Sequence, residues 1–486
     1  MTTFLSRLLL HDVLPVKGAD MITVQGLTAD SREVQPGFVF AALPGVRSNG
    51  ADFIPQALAA GAVAVICARG IYRGAGPVIE TDNPRQLLAR MAARFHGPQP
   101  ETIVAVTGTN GKTSVAVFVR QIWEQLGFRA ASLGTIGVVG PGGTEYLQHT
   151  TPDPVKLHAT LARLAEDHVQ HLAVEASSHG LSQYRLDGLQ LAAGAFTNLT
   201  RDHLDYHGSL DDYFEAKMRL FTELLPRGAP AVINMDSSHG EELRIRCEAS
   251  GLRSFTVGMR GRDIRLVAAG NDGLTQVLSL ETACGHHDVA LPLAGTFQAS
   301  NALVAAGLVI AVGGETSKVL HALSSLKGAP GRLDFVGNTE NGAAVFVDYA
   351  HTPDALANAL QALRPNTKGK LHVVFGCGGD RDKGKRPLMA KAAAEAADVV
   401  YVTDDNPRSE DPAVIRRETL AGAPGAVEIG DRAKAIAVAV KALSSCDILL
   451  VAGKGHEEGQ IVGSVTKNFS DHAAVRAALR GETYHG

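Results

Sequence analysis

From residue 102 onward, short β-branched runs end in glycine or charge and give way to Ala/Leu-rich helical stretches. The run ends are "TIVAVTGTNGKT" (102–113), "HLAVEASSHG" (171–180), "GAFTNLTRDHLDYHG" (194–208), "AVFVDYAHTPD" (344–354), "LHVVFGCGGDRDKG" (371–384), "VVYVTDDNPR" (399–408) and "ILLVAGKGHE" (448–457). This alternation predicts βαβ units and parallel sheets, hence an α/β fold. Ligands of such sheets bind beyond the carboxyl ends of the strands, and every unusual polar cluster here falls at such an end. At 486 residues the chain exceeds what one core usually serves. The Pro/Gly stretches "FHGPQPET" (95–102) and "KGAPGRLDFV" (327–336) read as linkers, giving three domains: 1–97, 98–330 and 331–486.

A net charge of −4 with no basic tract argues against nucleic acid or an anionic membrane as partner. Cys67, Cys247, Cys284, Cys377 and Cys446 are scattered without CxxC spacing. They are expected to be buried thiols in a reducing compartment rather than disulfides or a zinc site. The start, "MTTFLSRLLLHDVLP", is too short and too interrupted for a signal peptide, and no apolar run approaches membrane-spanning length. A cytoplasmic protein acting as a monomer is expected.

The most specific motif is "TGTNGKTS", Thr107 to Ser114, between a strand and a helix. Its Gly108, Thr109, Asn110 and Gly111 would expose backbone N–H groups that cradle phosphates at a helix N-terminus. Lys112 would neutralise phosphate oxygens and the Thr113 hydroxyl could ligate Mg²⁺. The glycine at 108, after Val106, departs from the usual GxxxxGK[ST] spacing. Alone, Glu175 reads as a strand-end carboxylate, His203 as a loop histidine and Lys217 as a solvated helix lysine. Behind a phosphate loop, Glu175 stands where a Mg²⁺ ligand is wanted, and His203 could serve a second cation. In "VTDDNPRSEDP" (402–412), Asn406-Pro407 favours a turn, Asp411 suits a helix cap and Pro412 a first helical position. Arg408 has no part in that account.

"TGTNGKTS", "EASSHGLSQYR", "TNLTRDHLDYHGS", "DYAHTPD", "FGCGGDRDKGKRP", "DDNPR" and "GKGHE" together resemble the Mur ligases of peptidoglycan synthesis, from about residue 27 to 472. The resemblance implies an N-terminal UDP-sugar-binding domain, a central P-loop-type ATPase domain with a mainly parallel sheet, and a C-terminal Rossmann-like domain that binds the amino acid. It assigns Ser31, in "TADSREVQPGFVF", and the loop "GVRSNG" (45–50) to the UDP end of the substrate. Thr150, Thr151, Ser177, Gln183 and Arg185 are assigned to its muramoyl-dipeptide. Asn301, Arg332 and Asp348 match nucleotide contacts beside the phosphate loop from Gly108 to Ser114; many relatives have His-Asn where this chain has Phe297-Gln298. Thr113, Glu175, His203 and Lys217 are implied around Mg²⁺, with Lys217 carbamylated. A carbamate is a carboxylate-like anion, whereas an ammonium has the wrong sign beside the metal. "DNPR" marks members that add diaminopimelate, and here implies a pocket of Arg381, Asp405, Asn406, Pro407, Arg408, Gly453 and Glu457.

The implied reaction joins meso-diaminopimelate to UDP-N-acetylmuramoyl-L-alanyl-D-glutamate at the expense of ATP. The γ-phosphoryl group passes to the D-glutamate carboxylate, the amine attacks the acyl phosphate, and phosphate leaves. Lys112, Lys217 and His203 are the catalytic candidates, and His203 or His351 could take the amine's proton. Domain closure is expected to bring amine and acyl phosphate together. Rival readings are an L-lysine-adding Mur ligase, a folylpolyglutamate synthase-like ligase and, less well matched, a GTPase-like switch or a dinucleotide-linked dehydrogenase.

Overall fold

The structure is a computed structural model that describes the chain except Met1, His11, Leu14, residues 46–48, Ala75, Gln148, Arg201, Gly486 and the side chain of Asp205. Two compact units are resolved. The first comprises Met1–Leu266, Glu281–Gly285 and Leu303–Ala322; the second comprises Val267–Leu280, His286–Ala302 and Leu323–Gly486. Among the described residues, no helix is long and apolar enough to cross a membrane.

The first unit contains a four-stranded parallel sheet, Gly26–Thr28, Phe38–Ala41, Ala64–Ala68 and Val78–Thr81. The parallel core of its larger, eleven-stranded sheet runs, in spatial order, Ala130–Gly134, His171–Glu175, Thr102–Thr107, Leu191–Phe196, Pro230–Asn234 and Arg253–Gly258. Thr102–Thr107 is central, and its Ile103, Val104, Ala105 and Val106 are all buried. A strand covered on both faces needs an unbroken apolar run rather than alternation, and "IVAV" supplies it. The chain then turns into the helix Lys112–Gln125, which buries Val115, Phe118, Val119 and Ile122 at helical spacing.

The second unit holds a six-stranded sheet ordered Asp334–Asn338, Ala344–Asp348, Ile448–Ala452, Leu371–Cys377, Val399–Asp404 and Val427–Glu428; only the first strand is antiparallel to its neighbour. Alternate strand residues feed two cores. Phe346, Val373, Phe375 and Leu450 pack with Leu356, Leu360 and Met389 on one face. Val345, Val347, Val374 and Val451 pack with Ile436, Ala439 and Val475 on the other. This is a doubly wound sheet with helices on both faces. Its strands Ala344–Asp348, Leu371–Cys377, Val399–Asp404 and Ile448–Ala452 run parallel, so the loops that follow them open at one edge.

Cys67, Cys247 and Cys377 are buried free thiols, but Cys284 and Cys446 are exposed, correcting the expectation that all five are buried. Both exposed cysteines sit in turns, where the chain reverses at the surface.

Candidate active site

The loop from Gly108 to Gly111 takes its shape from glycine. Gly108 has φ +147, and a Cβ there would lie 1.9 Å from Thr197 Oγ1. Gly111 enters the helix at φ +87. A second strand end clamps the loop from the side. Thr109 N–H donates to Asn198 O (2.8 Å), Asn110 N–H to Asn198 Oδ1 (2.9 Å), and the Thr197 hydroxyl to Asn110 O (2.6 Å). Thr200 N–H donates to Thr109 Oγ1 (3.0 Å). Thr197, Asn198 and Thr200 were not singled out from the sequence, although "TNLT" directly after a strand carries the signal. Ser114 is buried in the first helical turn.

Two lysines meet at this loop. Lys112 Nζ donates to Gly108 O (2.9 Å) and Thr109 O (2.8 Å), and Lys217 Nζ donates to the same Gly108 O (2.8 Å). Lys217 comes from the helix Leu210–Arg219 and is fully buried. The solvated reading is therefore wrong for it: Tyr213, Phe214 and Met218 share its buried face. Burial, and then the charge of Lys112, push the Lys217 amine well below its ordinary range. Its Nζ also lies 4.0 Å from the centre of the Tyr213 ring. Burial raises that phenol to about 12, so the ring stays neutral and its π face meets the amine.

Glu175 is also buried and fully engaged. Its carboxylate accepts from the Thr113 hydroxyl (3.0 Å), Thr135 N–H (2.7 Å) and the Thr135 hydroxyl (3.1 Å). Thr135 follows the strand Ala130–Gly134, and a Cβ at Gly134 would lie 2.0 Å from Glu175 Oε1. Thr135 escaped the sequence reading; "LGT" at a strand end is its only trace. Through the Thr135 hydroxyl the network reaches Thr150 Oγ1 (3.0 Å). The Thr151 hydroxyl donates to Glu175 O (2.9 Å) and lies 3.0 Å from Ser177 Oγ. Arg185 donates to Thr151 O (2.6 Å) and forks onto Gln183 Oε1 (2.7 and 3.2 Å). Thr113, Glu175, Thr150, Thr151, Ser177, Gln183 and Arg185 thus form one connected polar surface beside the phosphate loop.

His203 stands apart from it. Its backbone is left-handed (φ +52), Nε2 lies 3.4 Å from Asp202 Oδ2, and its ring meets the edge of His179 at 4.9 Å. Among the described residues it makes no hydrogen bond to Glu175, Thr113 or Lys217, and no three His, Cys, Asp or Glu side chains gather as a metal site. The residues that fit a hard cation are Thr113 and Glu175, whose oxygens lie 3.0 Å apart. Ser31 lies in the turn after the strand Gly26–Thr28, where the Arg32 guanidinium forks onto the Asp30 carboxylate. The centre of the 45–50 loop lies outside the described residues.

In the second unit, the turns after two strands are locked together. Glu410 accepts from Asp380 N–H (2.6 Å) and pairs with the buried Arg386 (2.8 Å), and Ser409 donates to Asp380 (2.6 Å). A Cβ at Gly379 would lie 1.9 Å from Pro407 O. Asp411 caps the helix Pro412–Leu420 through Ala413 N–H (2.9 Å), as its sequence suggests.

Arg408 is the exception in this cluster. Its backbone sits at φ +52, stitched to the hairpin Gly459–Val462/Val465–Asn468 by Arg408 N–H to Ile461 O (3.0 Å) and Gly463 N–H to Arg408 O (2.7 Å). A non-glycine residue held there is a strain that surroundings must impose. Its guanidinium donates to Gly379 O (2.8 Å), and a Cβ at Gly378 would crowd it at 2.8 Å. Nearby Arg386 pairs with Glu410 and Glu418, and Arg416 with Asp404 and Glu428. Among the described residues, Arg408 and Arg381 have no carboxylate partner within ion-pair distance; Arg381 donates only to Asp380 O (3.3 Å). Beside them are the buried Asp405 and Asn406, with Asn406 Nδ2 donating to Glu457 Oε2 (3.1 Å). Gly453 closes in on Asp405: a Cβ there would lie 3.0 Å from Oδ2.

The nucleotide candidates of this unit are also linked. Asn301 Nδ2 donates to Gln298 Oε1 (3.2 Å), and Gln298 Nε2 to Arg332 O (3.1 Å). Arg332 lies 4.7 Å over the Tyr349 ring, and its buried Nε has no hydrogen-bond partner among the described residues. Asp348 accepts from Leu333 N–H (2.5 Å) and Ala350 N–H (2.7 Å). His351 Nδ1 meets Tyr349 O at 3.0 Å, which leaves Nε2 as the outward nitrogen.

Three family descriptions match in chain order: Mur ligase family, catalytic domain, over residues 23–96; Mur ligase middle domain over 106–309; and Mur ligase, glutamate ligase domain, over 331–455. The UDP-N-acetylmuramoyl-L-alanyl-D-glutamate–2,6-diaminopimelate ligase of Mesorhizobium japonicum is 56% identical over 477 residues, 97% of this chain and 98% of that one. Its namesake from Brucella melitensis is 54% identical over 98% of each chain. A solved structure of a ligase of the same name superposes with a TM-score of 0.73 at 34% identity, covering 99% of both chains. A doubly wound second unit, a glycine loop with its paired lysines, and identity of this extent over nearly the whole length agree: the chain belongs to the Mur ligase family.

Proposed function

We propose that the protein ligates meso-2,6-diaminopimelate to UDP-N-acetylmuramoyl-L-alanyl-D-glutamate, with ATP as energy source, in the cytoplasm and as a monomer. Residues 1–97 serve the UDP sugar, 98–330 the ATP, and 331–486 the amino acid. The observation that carries the amino-acid assignment is the pair Arg381 and Arg408, without carboxylate partners within ion-pair distance among the described residues, in the same loop cluster as Asp405 and Glu457. Such a bipolar pocket suits a zwitterion with a second carboxylate. Arginine's fork grips a carboxylate bidentately, while Asp405 and Glu457 receive ammonium.

The chemistry divides by residue. Joining a carboxylate to an amine in water is uphill, so the D-glutamate carboxylate oxygen first attacks the γ-phosphorus and ADP leaves. The amine nitrogen then attacks the acyl carbon, inorganic phosphate departs, and the amine's proton passes to a base. Lys112 holds charge on the transferring phosphoryl group, and the N–H groups of Gly108 to Ser114 cradle the phosphates. Asn301, Arg332 and Asp348 bind the nucleotide. Ser31, Thr150, Thr151, Ser177, Gln183 and Arg185 hold the UDP substrate. Mg²⁺, held by Thr113 and Glu175, would supply charge neutralisation at the phosphates. Lys217 fits carbamylation because its amine is buried and depressed. In neutral form its nitrogen adds to the carbon of CO₂, one proton leaves, and the side chain becomes an anion.

Phosphate release from ATP tests the whole reading. It should require both the UDP-muramoyl-dipeptide and meso-diaminopimelate, because neither half-reaction turns over without an acceptor. Release with neither present would favour a nucleotide switch, and release with a folate in place of the UDP substrate would favour the folylpolyglutamate synthase-like rival.

A further inference from the structure

Resting on the amino-acid pocket just described, we infer that Lys454 is its positioning residue: a buried ammonium that sets Asn406, Glu457 and Asp405 in the arrangement that receives substrate. Lys454 is 0% exposed, so it stands behind the pocket rather than in it. Its Nζ donates to Asn406 Oδ1 (3.0 Å) and Glu457 Oε2 (3.2 Å) and lies 3.6 Å from Asp405 Oδ1. Asn406 Oδ1 accepts a second bond from Ile461 N–H (2.9 Å), which fills the oxygen and turns the amide nitrogen onto Glu457 Oε2 (3.1 Å). Lys454, Asn406 and Glu457 therefore close a ring in which none can rotate without unpairing a buried group.

The turn is built to put the lysine there. It lies between Gly453 (φ +114) and Gly455 (φ +56), just past the strand Ile448–Ala452. A Cβ at 455 would lie 2.8 Å from that of Tyr349, so only glycine lets the chain turn the lysine inward. The ammonium also balances charge. Asp405 and Glu457 with Lys454 carry one net negative charge rather than two. Without Lys454 two carboxylates would repel each other across the pocket.

Steady-state kinetics of the full-length enzyme test this with Lys454→Met, Lys454→Gln, Asn406→Ala and the double variant Lys454→Met/Asn406→Ala. Lys454→Met should raise KM for meso-diaminopimelate by about tenfold or more. KM for ATP and for the UDP substrate should stay within about twofold, since their residues share no partner with Lys454. On the Asn406→Ala background the same substitution should add less than about threefold, because its effect runs through Asn406. Lys454→Gln, shorter and uncharged, is held to the same criteria if Lys454→Met lacks a cooperative thermal transition. Wild-type KM for diaminopimelate in the folded variants, an equal rise in all three KM values, or full additivity would overturn the inference. So would failure of both variants to fold, which would assign Lys454 to stability alone. A wild-type enzyme inactive with diaminopimelate would instead remove the pocket reading itself.

Discussion

Lys112→Ala should lower ligation by about 10³-fold or more while UDP-substrate binding stays within about threefold. The asymmetry follows from where the ammonium sits. Lys112 Nζ rests on the carbonyls of Gly108 and Thr109, inside the loop assigned to phosphate. Thr151, Ser177, Gln183 and Arg185 are joined by their own hydrogen bonds and do not lean on it. Phosphoryl transfer depends on positioning and charge neutralisation more than on covalent help, so removing one preorganised cation strikes the transition state directly. Calorimetric titration of the UDP substrate beside a product assay separates the two effects. Equal loss of both would mean that the loop does not bind phosphate or that the variant is misfolded.

Lys217→Ala should be nearly as damaging, with a loss of about 10²-fold or more, and should respond to added carboxylates. The wild-type side chain is fully buried beside Lys112, a setting in which a permanent cation is costly and a neutral amine is available to CO₂. If Lys217 carries the proposed carbamate, truncation removes that anion and leaves space that formate or acetate should fill. Wild-type enzyme equilibrated with ¹³C-bicarbonate should show a carbamate carbon resonance that Lys217→Ala lacks. Full activity of Lys217→Ala, or a wild type without that resonance, would remove the carbamate from the account.

Much of this was legible in the sequence because strand ends write themselves plainly. "TIVAVTGTNGKT" becomes a central strand, a glycine turn and a helix; "ILLVAGKGHE" and "VVYVTDDNPR" become parallel strands whose tails reach the pocket. Apolar runs that must be buried on both faces leave little choice of fold. The partners that fix the site were much harder to see. Thr135 matters only because the strand Ala130–Gly134 lies beside His171–Glu175, a pairing that no local pattern announces. Lys217 looked solvated because a helix lysine usually is, and only tertiary packing buries it. Lys454 was passed over beside Glu457 in "GKGHE" for the same reason: it is buried, and one of its partners is Asn406, 48 residues away in sequence. Arg408 is the converse case. Its turn residues were readable, but its lack of a carboxylate partner among the described residues emerges only against Arg386 and Arg416, which each pair with two.

The central claim is that this enzyme adds meso-diaminopimelate, and the most direct measurement is kcat/KM for meso-diaminopimelate against L-lysine. Lysine lacks the distal carboxylate, so in the proposed pocket it would leave the fork of Arg408 without a carboxylate to grip. A site built to pair a polar group rejects the analogue lacking it by roughly 10⁴-fold. The wild type should therefore prefer meso-diaminopimelate by about that factor, and Arg408→Ala should lose most of the preference. Comparable kcat/KM values for the two amino acids in the wild type would contradict the account.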